Sequence, residues 1–403
     1  MAPPDGARPL ARSDPGSPAP PAREFSTAAS AGLFIAALLA FISIGASLPV
    51  LPAYVRGPLH STDLAVGIVI GAFAATSVIC RPVAGRQADR RGRRVVLVAG
   101  SLAMAAGGAL YLFSDSVPTL ILARLVVGAG EGSVYTAGAT WTVDLAPPHR
   151  RGLALGLFGL AVWGGLSLGP VAGELLRAGA GYSAVWVLTA VLPLIGALIA
   201  MRLPEPRREA AARAKAGPWL PRAARRPGAA LALANVGYAA LAGFVVLHLR
   251  ARGIGGGASV FTAFAVAVFA SRLALSHLPD RMGARRIATL AALMETAGLI
   301  VIASAMSLAV ALAGAVVVGL GFAMLFPSLA LMVVGRVSDE HRGSVMGAFT
   351  AFFDVGVGLG APLAGITASI AGYPAVFYLS ACAALLAALL ASMPLAARER
   401  APS

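Results

Sequence analysis

Twelve stretches of this chain are long and apolar enough to cross a bilayer, a property that excludes most folds. A helix needs roughly 20 apolar residues to span the hydrocarbon core. Such runs fall at 29–54, 64–84, 95–113, 118–142, 152–176, 182–203, 229–250, 258–279, 287–306, 308–334, 343–369 and 373–396. Backbone polar groups in lipid have no water to bond, so each span must satisfy them internally as a helix. The expected fold is therefore an all-α membrane protein of twelve transmembrane helices. Its 58% hydrophobic and 12% charged residues set it apart from soluble domains, which are about 45–50% apolar.

In a soluble chain a net charge of +15 would point to nucleic acid. Here the basic residues crowd the ends of apolar spans, where they set topology, so no nucleic-acid partner is expected. Twenty arginines and lysines fall in the loops of one side, and four, Arg56, Arg177, Arg250 and Arg252, in those of the other. That bias places both termini in the cytoplasm and the chain in the cell membrane. Residues 1–28, with Pro3, Pro4, Pro9 and Pro15 among their prolines, read as a disordered cytoplasmic tail. They lack the short basic-then-apolar order of a signal peptide. Cys80 and Cys382 both lie in apolar runs, so no disulfide framework or metal site is expected. Lys215 is the only lysine among many arginines, a usage associated with GC-rich bacteria.

An internal repeat divides the chain. Adding 191 carries Arg81 to Arg272, Asp89 to Asp280, Arg90 to Arg281, Gly92 to Gly283 and Arg94 to Arg285. The same offset carries Gly128 and Gly130 to Gly319 and Gly321, and Gly156, Gly165 and Gly169 to Gly347, Gly356 and Gly360. A register held across several helices implies duplication. The domains are thus two six-helix bundles, 29–203 and 229–396, joined by a basic linker, 204–228, with a C-terminal tail at 397–403.

The run Gly85-Arg-Gln-Ala-Asp89-Arg90-Arg-Gly92-Arg93-Arg94, with its weaker copy Asp280-Arg281-Met-Gly283-Ala-Arg285, resembles the signature of the major facilitator superfamily. The likeness extends over residues 29–396. It implies two pseudo-symmetric six-helix bundles related by an axis along the membrane normal, with a substrate site near midplane between them. It also implies that the Gly85–Arg94 motif is a latch, holding the cytoplasmic side shut while the outer side is open. Gly85 and Gly92 suit close approach and a tight turn. Asp89 suits a cationic partner or the positive N-terminal end of the helix starting near Gly343.

In the fourth span Arg124, Gly128, Glu131 and Tyr135 recur at helical spacing and share one face. Intramembrane charge is costly and usually faces a pathway, although an acid and a base on one stripe can also simply neutralise each other. By resemblance, Arg124 sits where antiporter-type members carry an arginine tied to proton coupling. Asp354 lies mid-span in the other half, in an apolar setting that suits a carboxyl exchanging protons near neutral pH. Gly165, Gly169, Pro170 and Gly173 place small residues four apart around a proline expected to bend the helix. This run resembles the fifth-helix signature of drug and metabolite antiporters, with Glu174 where many members have a second glycine. Glu174 reads as a surface residue, and Glu295 has no assigned role. Tyr135, Trp163, Asn235, Tyr238 and Phe353 are the candidates for lining a cavity.

No phosphate loop, catalytic constellation or cofactor motif is present, so the chain reads as a secondary transporter rather than an enzyme. The leading expectation is proton-coupled export of an amphipathic organic compound by a monomer, with Glu131, Asp354 and Arg124 in the coupling. The alternatives are an uptake symporter or facilitator for a sugar, organic acid or other metabolite, and a non-transporting receptor.

Overall fold

The computed structural model describes residues 27–147, 150–205, 221–275, 277–336 and 342–394. The expected N-terminal tail up to residue 26, most of the basic linker and the C-terminal tail lie outside these residues, while Thr27 and Ala28, expected in the tail, already belong to the first helix. The described chain is helical, and ten helical segments are long and apolar enough to cross a membrane. Helices α1 (Thr27–Ser47) and α2 (Val50–Arg56) form one crossing, interrupted at Leu48 and Pro49. Then follow α3 (Asp63–Arg91), α4 (Arg93–Tyr111), α5 (Val117–Leu145) and α6 (Arg151–Arg202). The second half holds α7 (Arg222–Ala251), α8 (Gly257–Leu275), the short α9 (Leu278–Met282), α10 (Ala284–Ser304), α11 (Leu308–Val334) and α12 (Arg342–Ser392).

At 52 and 51 residues, α6 and α12 would each be more than 75 Å long if straight, about twice a bilayer core and more. Each is broken once, at Gly181 (φ 78°) and Gly372 (φ 78°), a conformation that side chains with a Cβ resist. The arms of α6 run in opposite directions along α1. The first brings Gly165 to Leu38 and Gly173 to Ala46, whereas the second brings Thr189 to Ser43 and Gly196 to Ala36. The ten segments therefore supply twelve crossings, in two six-helix halves.

The 191-residue register extends to turns and caps. Gly92 and Gly283 both carry positive φ (108° and 91°), Gly181 answers Gly372, and Ser116 and Ser307 both cap helices. Two boundaries differ from expectation. Helix α3 continues seven residues past 84, so Gly85 and Asp89 sit on a helix and only Gly92 makes the turn. Arginines there reach the interface along their aliphatic stems, so the helix need not end where apolarity does. Helix α7 likewise begins at Arg222, inside the basic stretch.

The halves are closed at one end and apart at the other. Near Asp63, α3 and the first arm of α12 touch through glycines. A Cβ on Gly67 would lie 2.3 Å from the Ala361 carbonyl oxygen, and one on Gly365 2.6 Å from that of Asp63. Tyr373 donates to Asp63 across this seam (3.0 Å), and Arg56 pairs with Asp63 from its own half (3.3 Å). Toward the Gly92 end contact is lost. On α6, Gly164 packs beside Phe269, and a Cβ on Gly159 would be 3.9 Å from Arg272, but Gly156 and Gly152 meet no described neighbour within 4 Å. On α12, Gly358 lies near Ala74, while Gly347 meets none. The cavity between the halves thus opens toward the arginine-rich end.

Gly67→Val is expected to wedge the Asp63 end apart. Spin labels at positions 64 and 366, with Cys80 and Cys382 replaced by serine, should report a longer distance than without the wedge. An unchanged distribution would mean that this seam does not limit closure.

Candidate functional site

Between the halves lies a largely apolar cavity with three guanidiniums and two carboxyls in its wall: Arg81, Arg124, Arg272, Glu131 and Asp354. Burying that much charge is costly unless it is paired, so the pairing shows what the cavity is built to do.

Arg81, on α3, is shared by both halves. Its Nε donates to Asp354 Oδ2 (2.7 Å), and its Nη2 reaches Asp354 Oδ1 (3.3 Å) and Glu131 Oε1 (3.2 Å). The Ser77 hydroxyl, one turn earlier, donates to Glu131 Oε2 (2.7 Å). The guanidinium carbon lies 4.6 Å from the centroid of the Tyr135 ring, within cation–π range. Bidentate contact with Asp354 fixes orientation as well as charge. Glu131 comes from the first half and Asp354 from the second, so one guanidinium ties α3, α5 and α12 together.

On α5, Arg124, Glu131 and Tyr135 all line the cavity, but the acid and the base of this stripe do not neutralise each other. Arg124 does not meet Glu131. Its Nε and Nη2 donate to the carbonyls of Val69 (3.1 Å) and Ile70 (3.3 Å), and its guanidinium lies 4.7 Å from the Phe73 ring centroid. Gly128 permits this, because a Cβ there would fall 2.0 Å from the Phe73 oxygen. Helical spacing gives the shared face, but the neighbouring helix decides which partner each charge finds.

Trp163 and Tyr238 line the cavity, as does Phe353. Asn235 does not. It is fully buried, and its Nδ2 folds back onto the Leu231 carbonyl of its own helix (2.7 Å). Gly165, Gly169 and Gly173 press α6 onto α1, where a Cβ at Gly173 would come 2.2 Å from the Ala46 oxygen. Backbone angles stay helical through Pro170, and the recorded break in α6 is at Gly181. Glu174 pairs with Arg177 near the surface. Glu295 is buried on α10 outside the cavity wall, with Oε1 lacking a hydrogen-bond partner among the described residues.

In the Gly85–Arg94 motif Asp89 pairs with Arg93 one turn on, and Arg93 also bonds Asp144 (3.1 Å). Arg94 donates to the Leu203 carbonyl (2.6 Å). Every one of these partners belongs to the first half. Arg90 sits beside Asp89 on α3, and in the second copy Asp280 and Arg281 lie on α9 while Gly283 turns the chain into α10 and Arg285. Asp280, Arg281 and Arg285 are exposed. No cross-half contact of Asp89 is recorded among the described residues, in keeping with halves that stand apart at this end.

Arg81 and Arg272 are the site residues that sequence reasoning missed. Both served only to mark the repeat, although each lies inside an apolar span, where charge is a functional signal in itself.

Arg81→Ala should strand two buried carboxylates and lower stability by about 3–5 kcal/mol. Adding Glu131→Gln and Asp354→Asn should restore much of that loss, as read by thermal unfolding of the purified protein. Asp89→Asn removes an exposed ion pair of the kind typically worth under about 1 kcal/mol. It should therefore fold and insert normally while slowing turnover; normal turnover would reduce the motif to a topology anchor.

The family model described as Major Facilitator Superfamily matches residues 33–259 and 247–403. The uncharacterized MFS-type transporter STM4428 of Salmonella typhimurium is 35% identical over 367 residues, which cover 88% of this chain and 93% of that protein. The uncharacterized MFS-type transporter YhhS of Escherichia coli is 29% identical, over 87% of this chain and 88% of its own length. Among solved structures, the human organic anion transporter MFSD10 (TETRAN) superposes with a TM-score of 0.70 at 20% identity, covering 90% of this chain and 99% of that one. The nucleoside transporter NupG does so at 0.75 and 14% identity, covering 90% and 98%; at such identities the likeness is one of fold. With both halves matched by one family model and a curated relative alike over nearly its whole length, the chain belongs to the major facilitator superfamily of transporters.

Proposed function

We propose that the protein is a proton-coupled secondary transporter that exports an amphipathic organic compound by alternating access. It sits in the cytoplasmic membrane as a monomer with both termini inside. On that orientation the open, arginine-rich end faces the cytoplasm, ready to load. The observation that carries the reading is Arg81, bound at once by Glu131 of its own half and Asp354 of the other. A proton on Asp354 neutralises the ion pair that joins the halves beside the cavity. In an exchange cycle the substrate-loaded halves move with Asp354 ionised and held by Arg81, and the empty halves return with Asp354 protonated. The antiporter-like packing of Gly165, Gly169 and Gly173 on α1 supports export.

One observation favours a second reading. The cavity wall has three guanidiniums against two carboxylates. Each proton bound there adds positive charge and attracts an anion more strongly, which would make proton and organic acid travel together inward. Deleting the gene raises internal substrate under export and lowers it under uptake.

In proteoliposomes with an imposed pH gradient, adding substrate should dissipate the gradient, and Glu131→Gln with Asp354→Asn should abolish that response. Unchanged coupled transport by the double variant would overturn the proton role.

A further inference from the structure

The repeat relates Arg81 to Arg272, and the same subtraction of 191 takes Asp354 to Trp163, while adding it takes Glu131 to Phe322. The contacts obey this relation. Arg81 lies between Glu131 of its own half and Asp354 of the other. Its counterpart Arg272 has its guanidinium carbon 5.1 Å from the ring centroid of Trp163, of the other half, and Trp163 in turn packs on Phe322, of the same half as Arg272 (5.3 Å). Both carboxylate positions of the Arg81 site are thus taken by aromatic rings at the Arg272 site.

Among the described residues Arg272 has no carboxylate partner, and its Nε has no acceptor. Arg124 also lacks a carboxylate and has Nη1 without an acceptor, but its Nε and Nη2 are held by two backbone carbonyls and Arg81 holds two acids, so Arg272 is the least satisfied of the three cavity guanidiniums among the described residues. A cation in a low-dielectric wall is costly without a counter-charge. The rings beside it are continuous: Phe322 stacks on Tyr238 (5.6 Å, 25°), and both meet Phe353.

We infer that the transported compound is an organic anion, its carboxylate on Arg272 and its aryl or apolar body against Trp163, Phe322, Tyr238 and Phe353. One negative charge balances the excess guanidinium of the wall and leaves Arg81 with its acids, so the anion site and the proton-responsive contact are separate. Tryptophan beside the guanidinium presents a ring to the substrate and leaves the donor edge of Arg272 for the acid. This assignment rests on the transporter reading, and it holds for export and for uptake alike.

The test is isothermal titration of the purified full-length protein in detergent at neutral pH. The probes are matched pairs of aryl acid and amide: benzoate and benzamide, naphthoate and naphthamide, indole-acetate and indole-acetamide, with naphthylmethylamine as the cation. At least one acid should bind roughly tenfold or more tightly than its amide, the factor expected of a hydrogen bond to a charged group, and the amine should not bind better. Arg272→Gln should erase the difference and Arg272→Lys keep part of it. Trp163→Asp puts an internal carboxylate where symmetry places Asp354, and should likewise cancel the preference should Arg272→Gln fail to fold. The inference is overturned if no acid outbinds its amide, or if the preference survives both Arg272→Gln and Trp163→Asp. Binding is measured without a gradient, so its failure leaves proton exchange standing, and failure of the proteoliposome assay leaves the anion site standing.

Discussion

A guanidinium taken out of water has to find its counter-charge in the protein, and in this molecule that requirement fixes three helices from two halves around Arg81. The attraction between Arg81 and its two carboxylates is large in a low dielectric, yet it largely offsets the cost of desolvating three charges. Its consequence is therefore positional more than stabilising. Glu131 and Asp354 must stay within hydrogen-bonding reach of one nitrogen, Nη2, which constrains α3, α5 and α12 together. With two acids to one base, removing Arg81 leaves both carboxylates uncompensated, whereas protonating one acid leaves a balanced pair. A contact of that kind is two-valued, the property that the proposed coupling requires.

The glycine seam at the Asp63 end is the mechanical counterpart. Backbones that approach as closely as Gly67 and Ala361 gain dispersion contacts only while they are in register. The faces carrying Gly152, Gly156 and Gly347 have no such partners among the described residues. Since the 191-residue repeat puts Gly156 and Gly347 at equivalent positions, the open end is built from matching surfaces of the two halves. Closing it would bring Gly156 toward α8 and Gly347 toward α3, and Asp89, now paired with Arg93, lies on the same end of α3. A carboxylate whose present partner is its own helical neighbour has little to lose by exchanging it when the second half arrives.

Much of this architecture is legible in the sequence because lipid is a demanding solvent. Apolar run length identifies the spans, and the offset of 191 locates both halves and, at Gly92 and Gly283, the turns. Side-chain partners are less legible, since periodicity reports the face a residue occupies but not what lies opposite. Arg124 and Glu131 do share a face, yet α3 supplies each with a different partner, carbonyls for one and Arg81 for the other. Asn235 stands at cavity-facing spacing between Leu231 and Tyr238, and still its amide satisfies itself on its own helix. Arg81 was within reach of sequence reasoning, because a charge inside an apolar span is a signal wherever it occurs.

The two halves share a backbone plan and part company in the chemistry at their centre. Had Trp163 and Phe322 been acids, Arg272 would be neutralised as Arg81 is, and the cavity would hold two equivalent triads with no site that differs for substrate and proton. Replacing one pair of acids with rings breaks that equivalence while keeping the helix positions, since a tryptophan and a phenylalanine fill the space between halves as a salt bridge does. On the proposed reading the first-half arginine responds to protons through its acids, and the second-half arginine takes the solute. Both stand on elements that must move against each other when the halves rock, α3 and α8 facing α12 and α6. A change in occupancy at either arginine is therefore felt at a contact between the halves, and two unlike ligands can act on one motion from sites that symmetry made alike.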